Sequence, residues 1–210
     1  MAGADELPQD QWPNVYAFKF DVESLQNYPG ILMPGEQVMV TEKIHGANAR
    51  YLWNGSFFMG SRTRWLKPDV AHQWKRAADA DPRIQAWCET HPGVVLYGEI
   101  YGAVQSLKYG QKPGSVAFAA FAALNKGEWI DTQELHHARH ALSMVPLLYH
   151  GRYDLAEILP LAENDSSVLG SPPGHMREGI VIVPSTERRD ENIGRVALKH
   201  ISERFWMSDK

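Results

Sequence analysis

Thr41-Glu42-Lys43-Ile44-His45-Gly46-Ala47-Asn48-Ala49-Arg50 lies between two strand-like runs, Val38-Met39-Val40 before it and Ala49 to Trp53 after it. A lysine carried between two strands sits on rigid backbone, where a reactive group is best held. Gly46 breaks the strand pattern and lets the backbone approach a ligand closely. The bare pattern Lys43-x-x-Gly46 is short, arises by chance in many proteins, and alone reads as a surface lysine at a strand edge. The longer string Glu42-Lys43-Ile44-His45-Gly46-x-Asn48 is far more specific. Its meaning depends on whether other parts of a site follow in order.

The chain has 210 residues, which suits one large domain or two small ones with a substantial core. A formal net charge of −4 excludes a generally basic nucleic-acid coat, so any contact with nucleic acid must use local basic patches. The one cysteine, Cys88, excludes an intramolecular disulfide and a cysteine-based zinc site. It lies in a helix-like stretch and reads as a packing residue. Residues 1–14 are acidic and proline-bearing, a loose polar arm without the basic-then-apolar order of a signal peptide. No apolar run is long enough to span a bilayer, so no membrane association and a cytoplasmic location are expected. No repeat, low-complexity tract or long linker divides the chain, and residues 1–210 read as a single domain.

Three strands are expected between Glu36 and Arg62, with Asn54-Gly55 as a two-residue hairpin turn. Asp21 to Gln26 reads as a helical turn or two. Ser61 to Lys67 is a basic run with an aromatic inside it, which fits phosphate contact with stacking as well as a solvated loop. Asp69 is expected to cap a helix from Val70 to Ala78, and Asp81-Pro82 to open a second through Thr90. Val94 to Gly102 is a strong strand that carries Glu99 among glycines. A glutamate inside an apolar strand is expensive to bury without a partner. It reads as a functional carboxylate in a cleft or as a half-exposed residue on a polar face. Ala103 to Gly114 is a polar loop, and Val116 to Leu124 a buried strand. Thr132 is expected to cap a helix, Gln133 to Leu142, in which His136 and His140 share a face. With no third ligand they read as surface or packing histidines. Val145 to Tyr149, Arg177 to Pro184 and Arg195 to His200 read as strands, separated by a loop at Glu163–His175 and a solvated turn with Arg188 and Arg189.

The string from Glu42 to Asn48 closely resembles the nucleotidyl-lysine motif of the RNA ligase 2 family, among the covalent nucleotidyltransferases. Tyr97-Gly98-Glu99, Phe118 to Phe121, Glu178-Gly179-Ile180-Val181 and Lys199 follow in that family's order, so the likeness runs from about Val38 to Phe205. Two positions depart from it: Ala122 stands where the family usually has aspartate, and Ile201 where a second lysine completes its K-x-K motif. The resemblance implies an α+β nucleotidyltransferase core, antiparallel sheets with flanking helices around a nucleotide cleft, with no appended OB or C-terminal domain expected. It implies an ATP-dependent RNA ligase that joins 3′-hydroxyl and 5′-phosphate ends. A DNA ligase with the same chemistry and a catalytically decayed nucleotide- or RNA-binding module are the alternatives; a capping enzyme lacks its following domain here.

By the same resemblance Lys43 attacks the α-phosphate of ATP and carries AMP, and Glu42 accepts from the adenine amino group. Ile44 adjoins the nucleotide, and Asn48 engages the 5′-phosphate end. Arg62, rather than Arg64, stands near the nucleotide and the joined phosphate. Glu99 approaches the ribose, Phe121 stacks on adenine and Phe118 packs behind it. Lys43, Lys199 and Glu178 form the catalytic group, and Glu99 and Glu178 hold Mg²⁺ or Mn²⁺ largely through its waters. The chemistry explains these residue types. An amine attacks phosphorus only when neutral, and with an ordinary lysine pKa near 10.4, removing its proton at pH 7 costs about 4–5 kcal/mol. Nearby cations, Lys199 and the metal, lower that cost and neutralise the phosphate oxygens. The expected partners are ATP and nicked or single-stranded RNA ends; because family ligases usually carry an extra clamping domain, the chain is either a minimal ligase or relies on a partner protein or domain to clamp the substrate.

Overall fold

The computed structural model describes residues 3–208. Its strands in chain order are β1 (Glu23–Ser24), β2 (Gln37–Lys43), β3 (Ala47–Trp53), β4 (Phe57–Gly60), β5 (Trp65–Leu66), β6 (Val94–Gly102) and β7 (Val116–Asn125). They continue with β8 (Glu128–Trp129), β9 (Leu147–Arg152), β10 (Gly179–Pro184), β11 (Arg189–Asp190), β12 (Gly194–Arg195) and β13 (Leu198–Ile201). The helices are α1 (Gln73–Ala80), α2 (Arg83–Thr90), α3 (Thr132–His136), α4 (Leu155–Ile158) and α5 (Glu203–Ser208). One sheet has the order β1-β13-β10-β2-β9 and the other β5-β4-β3-β6-β7-β8, with β11-β12 as a separate hairpin. All pairings between these strands are antiparallel except the short β1–β13 contact. The fold is α+β, as the resemblance implied.

Period-two alternation divides the residues of the first sheet. Val38 and Val40 of β2 join Ile180, Ile182 and Leu198 in one apolar cluster, closed by Leu25, Tyr153 and Ile158. Met39 and Val183 belong to the opposite face with Ala197. The second sheet buries Ala49, Tyr51, Leu96 and Phe118 against Ala77, Ile84, Trp87 and Cys88 of α1 and α2. Full burial of a side chain such as Ile84 contributes about 1.5–3 kcal/mol. Burial pushes the Cys88 thiol up to about 12, consistent with a packing role.

Several local expectations change. The β3–β4 connection pairs Trp53 with Phe57 and so has three residues, with Gly55 at φ +78°. The α1 cap is His72, whose Nδ1 accepts from Lys75 N at 3.0 Å, and not Asp69. The helix from Thr132 gives way to a 3-10 turn at His137–His140, and Asp131 rather than Thr132 holds the cap position. Asp21–Gln26 contributes β1 and the start of a 3-10 turn. Arg188, in the turn expected to be solvated, is partly exposed and also forms a paired contact with Glu36 at 2.6 and 2.9 Å, while Arg189 is exposed. The strand expected at Val145–Tyr149 runs later, at Leu147–Arg152, and Val196-Ala197 interrupts the last one. Within the amino-terminal arm, Leu7 and Trp12 pack against a core cluster, Leu7 N donates to Trp65 O and Glu6 pairs with Arg64, while Gly3, Ala4, Gln9, Asp10, Gln11 and Asn14 are exposed. Met1 and Ala2 lie outside the described residues. No helix among the described residues is long and apolar enough to cross a membrane.

Candidate active site

A cavity of about 320 Å³ lies between the two sheets. Strands β2, β10 and β13 supply Thr41, Glu42, Lys43, Val181, Val183 and Lys199; β3, β6 and β7 supply Asn48, Glu99 and Phe121. Ladder register explains the convergence. Thr41, Val181 and Lys199 are successive partners across the first sheet, while Asn48 faces Glu99 across the second. Of the nine residues singled out from sequence, Glu42, Lys43, Ile44, Asn48, Arg62, Glu99, Phe121 and Lys199 line this cavity. Glu178 does not line it but touches Lys43.

Lys43 Nζ donates to Glu178 Oε1 at 2.6 Å. Glu178 is buried, and its Oε2 makes no hydrogen bond among the described residues, with His45 Nδ1 3.5 Å away. The turn after Lys43 is fixed from two sides: His45 N donates to Tyr109 Oη at 2.6 Å, and the His45 ring lies 4.9 Å from that of Phe205. Gly46 is required by close approach, since a Cβ there would stand 2.1 Å from Ile100 O and 2.8 Å from Glu99 Cγ. Desolvation pushes the Glu99 carboxyl up to about 8; Lys43 pulls it back and the Glu178 charge pushes it further up. Glu99 and Glu178 are therefore close enough to repel. Two such carboxyls, one with an unpartnered buried oxygen, suit a cation that brings its own waters. Among the described residues no group of three or more His, Cys, Asp or Glu side chains converges on a metal position, so the rest of any coordination shell would come from water and ligand.

Glu42 contributes to the wall, and its carboxylate is engaged in a buried network. Ser166 Oγ donates to Oε1 at 2.6 Å and Ser167 N to Oε2 at 2.7 Å, with Arg177 Nε 3.3 Å from Oε2 as an ion pair without hydrogen-bond alignment. Each carboxylate oxygen has two lone-pair sites, so Oε1 keeps capacity for one more donor. Phe121 is the extra residue of a β-bulge: Tyr97 pairs with Ala122 and Gly98 with Ala120, leaving Phe121 unmatched. A bulge re-aims a side chain, here into the cavity. Phe118 lies in the core, edge-on to Tyr51 at 5.1 Å. Ala122 packs with Leu52, Trp65, Val95, Tyr97 and Leu124, where a carboxylate would be stranded in apolar surroundings. Arg62 pairs with Asp21 and donates from Nε to Phe20 O at 3.3 Å, whereas Arg64 turns away to Glu6.

Sequence reasoning missed Phe20, Thr132 and Arg195 in the wall, and Tyr109, Ser166 and Arg177 behind it. Phe18, Phe20 and Val22 alternate as an inward-facing strand would, which was a usable signal. The others depend on long-range pairing with no local signature. His136 is buried, and desolvation followed by the nearby Arg139 and His150 lowers its pKa, which fits packing.

A family model described as RNA ligase matches residues 36–201. No curated protein sequence matches the chain. Among solved structures, a lysine-to-alanine mutant of Naegleria gruberi RNA ligase with ATP and Mn gives a TM-score of 0.75 at 20% identity, covering 98% of this chain and 60% of that one. A glutamate-to-alanine mutant with AMP and Mn gives 0.75 at 19%, covering 98% and 60%. The same enzyme with PPi gives 0.74 at 21%, covering 99% and 61%. The chain thus spans about 60% of the length of those solved proteins, and identities this low establish the shared fold.

Proposed function

The chain belongs to the RNA ligase family, and from that premise we propose that it is an ATP-dependent RNA ligase joining 3′-hydroxyl and 5′-phosphate ends through a lysyl-AMP intermediate. The observation that carries this reading is one cavity lined by Lys43, Glu99 and Lys199, with Glu178 2.6 Å from the Lys43 amine. Solved relatives were captured with ATP, AMP, PPi and Mn, the species such a cycle uses.

Lys43 attacks the α-phosphorus of ATP, forms a phosphoramidate and displaces pyrophosphate. The attacking nitrogen gives up its protons, and Glu178 Oε1 is the nearest acceptor. AMP then passes from Lys43 to a 5′-phosphate, giving a 5′–5′ pyrophosphate linkage and regenerating the amine. A 3′-hydroxyl finally attacks the activated phosphate, forming the phosphodiester and releasing AMP. Lys199, on the strand level with Thr41 and Val181, supplies fixed positive charge to phosphate oxygens as charge builds there. Phe121 offers a face to the adenine, with Val181 and Ile44 as apolar walls. Glu42 Oε1 accepts from the adenine amino group, Asn48 meets the 5′-phosphate end, Arg62 the nucleotide and the phosphate being joined, and Glu99 approaches the ribose. Asn48 Oδ1 is buried without a hydrogen-bond partner among the described residues, which supports a ligand-facing role.

Glu99 and Glu178 would hold Mg²⁺ or Mn²⁺ through water, and the ion would add Lewis-acid charge neutralisation at the phosphates. We read residues 1–210 as one nucleotidyltransferase domain of a cytoplasmic protein. Ile201 removes one phosphate contact, and either the chain works as a minimal ligase or a partner or further domain supplies the grip on RNA. Sealing of nicked duplexes with RNA or DNA on each side of the break tests the reading. Joining that requires RNA at the break supports it; sealing of all-DNA nicks at equal rate favours a DNA ligase.

A further inference from the structure

We propose that Arg195 is a base-reading residue of this site, its guanidinium donating to a ring nitrogen of the bound purine. The inference rests on the nucleotide site proposed above and adds a residue and a specificity to it. The β11–β12 hairpin carries Arg195 to the cavity wall. There the guanidinium is clamped. Nε donates to Glu187 Oε2 at 2.9 Å and Nη2 to Oε1, and the plane lies 4.4 Å from the Trp129 ring and 5.1 Å from Phe20. Glu187 is itself fixed, accepting from Thr132 Oγ1 at 3.3 Å and donating from its N to Asp131 Oδ1 at 2.7 Å.

The side chain is only 8% exposed, yet Nη1 makes no hydrogen bond among the described residues. A charged donor buried without an acceptor is unfavourable, and native structures leave few of them unexplained. A ligand acceptor arriving in the cavity that Arg195 lines would satisfy it. The surroundings say which acceptor. Lys43 is level with Gly179 and Ile201, and Arg195 precedes Lys199 by four residues, up to about 13 Å further along the chain from the nucleophile. The phosphate-facing cations Lys43 and Lys199 lie on β2 and β13, and Arg62 pairs with Asp21 and bonds Phe20 only at its backbone carbonyl, whereas the Arg195 guanidinium sits over the rings of Phe20 and Trp129, with the Phe121 ring 4.4 Å from that of Phe20. Flat apolar walls receive a base, and the acceptors a purine ring offers in its plane are nitrogens.

Calorimetric titration of the full chain with AMP, and with the three deaza analogues in which one purine ring nitrogen is replaced by carbon, tests this without any chemical step. One analogue is expected to bind the wild type roughly 10- to 100-fold more weakly than AMP, the range for a hydrogen bond to a charged group. The double variant Arg195→Met/Glu187→Gln, which strands no buried carboxylate, is expected to lose a similar factor for AMP and to bind that analogue and AMP alike. If that variant does not fold, Arg195→Lys, which keeps the charge but not the planar fork, should show the same flattening. Equal binding of all three analogues by the wild type, retained discrimination in either variant, or no AMP binding at all would overturn the inference. A wild type that discriminates as expected but never forms lysyl-AMP would overturn the ligase reading alone. Lysyl-AMP formation with Arg195 variants indifferent to the analogues would overturn this inference alone.

Discussion

Replacing Glu99 by glutamine should change how stability depends on pH, by an amount that follows from the site. The Glu99 carboxyl is pushed from 4.5 up to about 8 by desolvation, against the pull of Lys43 and with the Glu178 charge adding to the push. The gap of about 3.5, at about 1.36 kcal/mol per decade, sets an upper bound near 5 kcal/mol. Water entering the cleft screens part of this, so about 2–4 kcal/mol is expected. The sign is fixed by proton uptake: between pH 4.5 and about 8 the folded chain holds a proton that the unfolded chain has lost. The stability that a neutral Glu99 confers is therefore complete below the lower value, falls as pH rises and is gone above the upper one. Glu99→Gln keeps the neutral shape at every pH. Urea denaturation of both proteins across this window, without divalent metal, should give curves that meet near about pH 5 and diverge by about pH 9, the variant being the more stable. Parallel curves would refute the reasoning. Addition of Mn²⁺ should reduce the wild-type deficit at high pH, because a cation compensates the carboxylate pair.

Gly46→Ala puts a Cβ 2.1 Å from a backbone carbonyl, so the turn after Lys43 must shift. Lysyl-AMP formation, followed by radiolabel transfer, should fall about 100-fold or more, with a stability loss of about 1–3 kcal/mol in denaturant. Phe121→Ala should weaken AMP binding by about 1–3 kcal/mol in calorimetry, the range for a base on an aromatic ring; unchanged affinity would remove Phe121 from the adenine site. Binding of nicked RNA duplex should be weak and fall steeply with salt in filter-binding assays, since a chain of net charge −4 has only local basic patches to offer; tight, salt-indifferent binding would contradict this.

The strands that carry the candidate site were legible from their alternation and glycine punctuation, while the roles given to its residues came from the family resemblance. Lys43, Glu99 and Lys199 each belong to a run that reads as a strand alone, and ladder register brings them together. The bulge that aims Phe121 was not legible, since it is a mismatch between two strands rather than a feature of one. The Glu187–Arg195 clamp was hidden for the same reason, and so was the arrangement in which the Glu163–His175 loop closes over Glu42 through Ser166 and Ser167. Caps failed where side chains compete: Asp69 had the better capping chemistry, but Nδ1 of His72 accepts from Lys75 N while its Nε2 lies 3.1 Å from Lys67 O, so His72 starts the helix.

The central claim is that one amine, Lys43, carries the nucleotide. Incubation of the chain with radiolabelled ATP and Mg²⁺ or Mn²⁺, followed by denaturing electrophoresis and peptide mapping, tests it most directly. Acid-labile label is expected on the wild type, located at Lys43 and absent from Lys43→Ala. Label retained by Lys43→Ala, or no label on the wild type with either metal, would contradict it.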